Sequence, residues 1–155
     1  MSFHSTAAFL DLQPQIEPGH WQLPIRGRHT GGRQSLFGGV GLAAGIAIAE
    51  QATGLQTYWA TAQYLATTEQ PVDLDLHFTE PAKGRRTSQV QIQGRCNDDP
   101  IISIMAAIGR RPEQLKQHWD SMPHAGLPGS GTPVHHHPGE QRLHDHVELV
   151  MARGM

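Results

Sequence analysis

The sequence predicts an α+β fold in which a curved antiparallel sheet wraps around one long buried helix. Three observations predict it. Residues 36–49 are an apolar run of small and branched side chains with no polar face, and a helix that is apolar all round is buried. Residues 55–109 read as extended chain with alternating faces and short turns. One further strand, at residues 19–27, comes before the helix. A helix without a polar face cannot sit on the outside of a sheet, so the sheet has to curve around it.

In chain order, Ala7, Ala8, Phe9, Leu10 and Leu12 form a short apolar group closed by Pro14 and Pro18. They predict one or two helical turns capped at Ser5 or Thr6. In residues 19–27, Trp21, Leu23 and Ile25 alternate as one buried face requires, and Pro24 places the strand at an edge or a bulge. Residues 28–35 are a polar turn. The helix is predicted over residues 36–51, with Gly54 as its stop. Four strands follow. Residues 55–67 are rich in Thr and Tyr. Residues 71–79 set Val72, Leu74, Leu76 and Phe78 against Asp73, Asp75 and His77. Residues 87–95 alternate around Val90 and Ile92, and residues 101–108 close the set. Turns at Lys83-Gly84 and Asn97-Asp98-Asp99 predict an antiparallel meander of all four. This order of elements is that of the hotdog fold.

The chain has 155 residues, 37% of them hydrophobic, which suits one compact domain. Its 12 Lys and Arg against 14 Asp and Glu leave no positive excess to grip a nucleic-acid backbone. The single cysteine, Cys96, excludes an intrachain disulfide and a Cys-based structural zinc site. Residues 1–10 lack the basic and apolar blocks of a signal peptide. The run at 36–49 is short of the roughly 20 residues that span a bilayer. A soluble, cytoplasmic protein with no membrane and no nucleic-acid partner is expected. Residues 1–112 are read as the single domain. Residues 113–142 are read as a short helix (113–120) and a linker with Pro123, Pro128, Pro133 and Pro138 among Gly126, Gly129, Gly131 and Gly139. Residues 143–155 are read as the opening strand of a missing second domain.

The stretch Arg33-Gln34-Ser35-Leu36-Phe37-Gly38-Gly39, the small-residue helix behind it, the run Ala62-Gln63-Tyr64-Leu65 and the spacing to Glu80-Pro81-Ala82-Lys83-Gly84-Arg85 resemble the N-terminal hotdog of the acyl-CoA thioesterase II (TesB-like) family. The resemblance covers about residues 19–110. It implies two hotdogs in tandem, so that this chain is either a truncated member or a free-standing half. It implies hydrolysis or binding of acyl-CoA thioesters, with no cofactor. A homodimer or higher oligomer through the sheet edges would restore the missing half. The alternative is a non-catalytic hotdog half, serving as structural partner or acyl-CoA binding module. A hotdog dehydratase wants a His and an acid at the buried turns of the helix, and those turns hold Leu42, Ala43, Ala44 and Ile46.

The candidate site residues follow. Gly38 and Gly39, with Val40, stand where free N–H groups at a helix start would hold a thioester carbonyl as it becomes an oxyanion; a tight turn is their plainer role. Gln63, in the run that carries the resemblance, completes the candidate substrate contacts. By repeat correspondence the family's Asp, Thr and Gln constellation falls at about Ala43, at Thr57, and at Ala106 or Ala107. Only the Thr keeps its type, so Thr57 and the one acid near the helix, Glu50, are the candidates to position water. Lys83, Arg85 and Arg86 are either a solvated hairpin tip or contacts for coenzyme A phosphates. Asp73, Asp75 and His77 read as a wet strand face. Of the 11 His, seven lie from His118 onward; His135, His136, His137, His144 and His146 with Asp145 read as a tail, and no metal site is expected. Cys96 has no base beside it in sequence and is not expected to be a nucleophile.

Overall fold

The computed structural model describes residues 6–31, 34–110, 127, 130–134, 142–147 and 150–151. The chain opens with helix α1 (Thr6–Leu10) and a two-residue strand β1 (Gln13–Pro14) that pairs with β2 (His20–Ile25). Trp21, Leu23 and Ile25 of β2 are buried as their alternation requires. β1 reaches only Gln22 and Trp21, so Pro24 lies where β2 is the outermost strand, a position that tolerates a missing N–H.

Helix α2 spans Gly38–Thr53 and ends at Gly54, whose φ of 66° is left-handed and whose N–H donates to the Glu50 carbonyl at 2.8 Å. β3 (Gln56–Tyr64), β4 (Val72–Ala82), β5 (Thr87–Cys96) and β6 (Asp99–Gly109) follow. All pairings are antiparallel, in the order β1-β2-β4-β5-β6-β3. The inner face of this six-stranded sheet packs Leu23, Leu74, Leu76, Ile92, Ile102, Ile104 and Ile108 against Val40, Ala44 and Ile48 of α2. The helix approaches closely at two glycines. A Cβ on Gly41 would stand 2.9 Å from Ile102 Cδ1, and one on Gly45 would overlap Ile104 Cδ1. The architecture is a hotdog, as the sequence predicts.

Three expectations need correction. The helix starts and ends two residues later than predicted, and it is not buried on all sides. Val40, Gly41, Ala44, Gly45, Ile48 and Ala49 are buried, whereas Leu42, Ala43, Ile46 and Ala47 are half-buried and Glu50, Gln51 and Ala52 are exposed. One curved sheet covers one side of a helix, and apolar composition alone does not say what covers the other. The meander holds only for β4-β5-β6. β3 pairs with β6 at the far edge and not with β4. Residues 65–71 carry the chain back across the sheet end. They are held by Leu36 N–H donating to the Thr68 carbonyl at 3.3 Å and Gln70 N–H to the Gln34 carbonyl at 3.2 Å. The second turn is shorter than read. Asn97 and Asp98 both have positive φ, 48° and 72°, the two-residue hairpin geometry that matches strand twist, and Asp99 already pairs with Cys96.

The short helix expected at residues 113–120 lies outside the described residues. Thr132–Pro133 (β7) pairs with Val150–Met151 (β8). Residues from 143 onward, read as a strand, begin as a 3-10 turn at Leu143–His146. Leu143 packs on the core and its N–H donates to the Thr30 carbonyl at 3.2 Å. The His146 ring meets Phe9 edge-on at 5.7 Å. Among the described residues no helix is long and apolar enough to cross a membrane.

Candidate functional site

The loop into α2 is fixed by Phe37 N–H donating to the His29 carbonyl at 2.9 Å. Phe37 is the residue that precedes the helix and its side chain makes no cap, so the first-turn amides depend on backbone partners. Val40 N–H donates to the Phe37 carbonyl at 2.9 Å and Gly41 N–H to the same oxygen at 3.3 Å. Val40 is thereby a packing residue, with its amide in use and its side chain in the core. Gly38 and Gly39 are left as the helix-start N–H groups with no acceptor among the described residues, at the end where the helix dipole favours negative charge.

Both glycines also have a packing reason. A Cβ on Gly38 would lie 2.9 Å from Tyr64 Cζ, and one on Gly39 would lie 2.8 Å from Phe37 Cε1. Tyr64 Oη donates to the Gly38 carbonyl at 3.0 Å. Tyr64 is thus the β3 side chain that reaches the helix start, rather than its neighbour Gln63, the residue expected there from sequence. Gln63 pairs with Ser103 and points to the opposite face of the sheet, where it borders a separate hollow with Gln93 and Arg95. The cause is a bulge between Thr57 and Trp59. It lets Thr57, opposite Ile108, and Tyr64, opposite Ile102, share the inner face despite opposite parity. The signal available in sequence was the small inner pair Ala60 and Ala62, which continues to residue 64.

Thr57 and Glu50 meet, as Thr57 N–H donates to Glu50 Oε1 at 2.9 Å. The Thr57 hydroxyl is buried with no hydrogen-bond partner. The structure does not bring this pair to Gly38 and Gly39. Twelve residues of α2 separate Glu50 from Gly38, about 18 Å of helix. Ala43 stands half-buried on α2, and Ala106 and Ala107 lie on β6, buried and half-buried.

Asp73 pairs with Arg26 at 3.0 Å. Asp75 meets His20 at 3.2 Å and accepts from Gln22 at 3.2 Å. His77 stacks on His20 with ring centroids 4.3 Å apart. These side chains tie β2 to β4 on the outer face. No group of His, Cys, Asp and Glu among the described residues is arranged to hold a metal; His135, His136 and His137 lie outside them. Asp145 Oδ2 accepts from Arg142 N–H at 2.9 Å. Cys96 is buried, and burial pushes its thiol pKa up; it receives Thr68 Oγ1 at 3.7 Å and donates to the Asp73 carbonyl at 3.6 Å. A protonated, enclosed thiol is not a nucleophile.

No family model matches the chain, and no curated protein matches it in sequence. Solved structures do resemble it. A thioesterase candidate from Novosphingobium aromaticivorans superposes with a TM-score of 0.77 at 19% identity, covering 88% of this chain and 56% of that one. The tesB protein of Mycobacterium avium subspecies paratuberculosis gives 0.67 at 17% identity, covering 81% and 48%. A Streptococcus mutans protein solved with acetyl-CoA gives 0.58 at 14% identity, covering 65% of this chain and 91% of that one. The chain therefore spans about half the length of the two larger neighbours and nearly all of the smaller. At these identities the likeness establishes the shared fold.

Proposed function

We propose that this chain is a TesB-like hotdog half that hydrolyses or binds acyl-CoA thioesters in the cytoplasm and works as a pair of hotdogs, most simply a homodimer. The hotdog of this proposal is residues 1–112, with a linker after it and the turn at Leu143–His146 docked back on its core. The observation that carries the reading is the placement of two half-sites at opposite ends of a free edge strand. Gly38 and Gly39 lie beside Tyr64 at one end of β3; Thr57 and Glu50 lie at the other. Among the described residues the outer edge of β3 has no partner strand. Trp59 and Tyr64 on it are more than half exposed, and edges of this kind are normally covered. A twofold axis through the middle of β3 would pair it antiparallel with its copy and exchange the ends. Thr57 and Glu50 of one copy would then face Gly38 and Gly39 of the other.

In that arrangement the thioester carbonyl oxygen accepts from the Gly38 and Gly39 N–H groups, which hold the negative charge that develops as water attacks the carbonyl carbon. Glu50 Oε and the Thr57 hydroxyl orient that water, which gives up a proton to solvent as it adds, and collapse of the tetrahedral intermediate breaks the C–S bond to leave the carboxylic acid and the thiolate. Turnover is slow. Ala43, Ala106 and Ala107 occupy the positions expected to activate water, and loss of a general base costs about 10²–10⁴-fold. The same three alanines favour the second reading, a non-catalytic half that binds acyl-CoA or props a partner.

The test is thiol release from short- and long-chain acyl-CoAs with the purified protein, beside Thr57→Ala and Glu50→Gln, with sedimentation of each. Slow turnover by a dimer, lost in both variants, is expected. Robust turnover untouched by either change would place the site elsewhere. Acyl-CoA binding without turnover would select the second reading.

A further inference from the structure

We propose that the cavity under the β4–β5 hairpin binds a phosphate ester, gripped by Lys83, Arg85, Arg86 and Arg110. The cavity measures about 310 Å³ and also touches Leu55 and the buried Ser88. It lies at the C-terminal end of α2, away from Gly38 and Gly39, because Leu55 directly follows the helix stop.

Four positive side chains converge on it and no Asp or Glu lines it. By contrast Arg26 is matched with Asp73 and Arg28 with Asp11, while Arg95, on another face, donates to the Asp98 carbonyl at 3.0 Å. Among the described residues none of the four cavity cations takes part in an ion pair. Grouping like charges around a concave surface raises its potential and concentrates anions there. Two of the cations are set on joined backbone. Arg110 N–H donates to the Arg86 carbonyl at 3.4 Å, and a Cβ on Gly109 would overlap that same carbonyl. The β6 end and the hairpin therefore close on each other and hold the Arg86 and Arg110 side chains on adjacent strands. Guanidinium forks bind phosphate oxygens in pairs, and Lys adds a compact charge. The volume stands at the low end for ligand sites, enough for a phosphate with part of a sugar, and its apolar wall is Leu55 alone. The chemistry fits a phosphomonoester or diphosphate, whether from the nucleotide end of coenzyme A or from a free phosphate compound.

Calorimetric titration at low ionic strength, with adenosine 3′,5′-bisphosphate and with pyrophosphate, tests this without reading any hydrolysis. Saturable one-to-one binding is expected, weakened by added salt and weakened about tenfold or more by Arg86→Gln and by Arg110→Gln, both exposed positions. Arg95→Gln removes the same charge from another face and is expected to leave binding unchanged. Tighter binding of the bisphosphate assigns a nucleotide to the site, and equal binding assigns phosphate alone; both uphold it. No saturable binding, or an equal loss with Arg95→Gln, overturns it. Acyl-CoA hydrolysis with no bisphosphate binding would sink this site and leave the thioesterase reading standing, and the converse would do the reverse.

Discussion

Gly45 sits where α2 comes nearest the sheet, and Gly45→Ala sets two effects against each other. In a helix interior Ala is favoured over Gly by about 1 kcal/mol. The new Cβ would overlap Ile104 Cδ1 and stand 3.3 Å from Ile104 Cγ2 and 3.5 Å from its Cβ. Ile104 is fully buried in the centre of the sheet, so its side chain has no solvent to swing into. Overpacking of this kind costs about 1–3 kcal/mol, and the overlap wins. Gly45→Ala is expected to destabilise by about 1 kcal/mol. Ile104→Val alone costs about 1 kcal/mol. In the double variant the lost Cδ1 makes room for the new Cβ, the propensity gain is realised, and net stability returns to about that of the parent. The two changes should therefore couple by about 2 kcal/mol, far above the few tenths seen for independent sites. Urea unfolding followed by tryptophan fluorescence measures all four corners of the cycle. A stabilised Gly45→Ala, or a double variant equal to the sum of the singles within about 0.5 kcal/mol, would show that α2 has slack against the sheet and that the argument is wrong.

Three further outcomes are expected. His29 is fully buried; its Nδ1 lies 2.8 Å from the Pro24 carbonyl, and its Nε2 lies 3.2 Å from the Phe9 carbonyl and 3.1 Å from Arg28 Nε. Burial first, and Arg28 beside it, lower its pKa from the ordinary histidine value of 6.5. Below that value the unfolded chain takes up a proton that the folded chain resists, so stability contributed by the neutral ring is present above pH 6.5 and falls as the pH drops towards the lowered folded value; His29→Gln should flatten the slope of unfolding free energy against pH between 7 and 5, and an unchanged slope would assign it elsewhere. Asp98→Gly should raise stability by a few tenths of a kcal/mol because φ there is 72°, and a drop in denaturation midpoint would refute that account of the turn. Thr61→Lys, on the exposed outer face of β3, should leave folding intact, whereas Ala62→Pro on the same free edge should convert the dimer of the proposed function to monomer, read by sedimentation at tens of micromolar; a dimer unaffected by Ala62→Pro would place the interface on another surface.

The sequence by itself determined the elements. Alternation in residues 72–78 and 87–96, the Asn97-Asp98 turn and the capping Gly54 are local signals, and local signals set local geometry. The apolar run from residue 36 likewise called for a helix against the sheet core. What only the tertiary structure decided is what lies beside what. β3 leaves α2 and reads like the first strand of a meander, yet it pairs with β6, because residues 65–71 bond to the loop before the helix and carry the chain across. The bulge at Tyr58 turns Tyr64 inward and Gln63 outward, a one-residue shift that no alternation count anticipates without knowing the partner register. Thr57 and Glu50 meet because a strand folds back along the helix that precedes it, and the same antiparallel return keeps them about 18 Å from Gly38. Arg110 joins the hairpin cations for a related reason: strand pairing brings together residues far apart in sequence, and pairing is a property of the whole sheet.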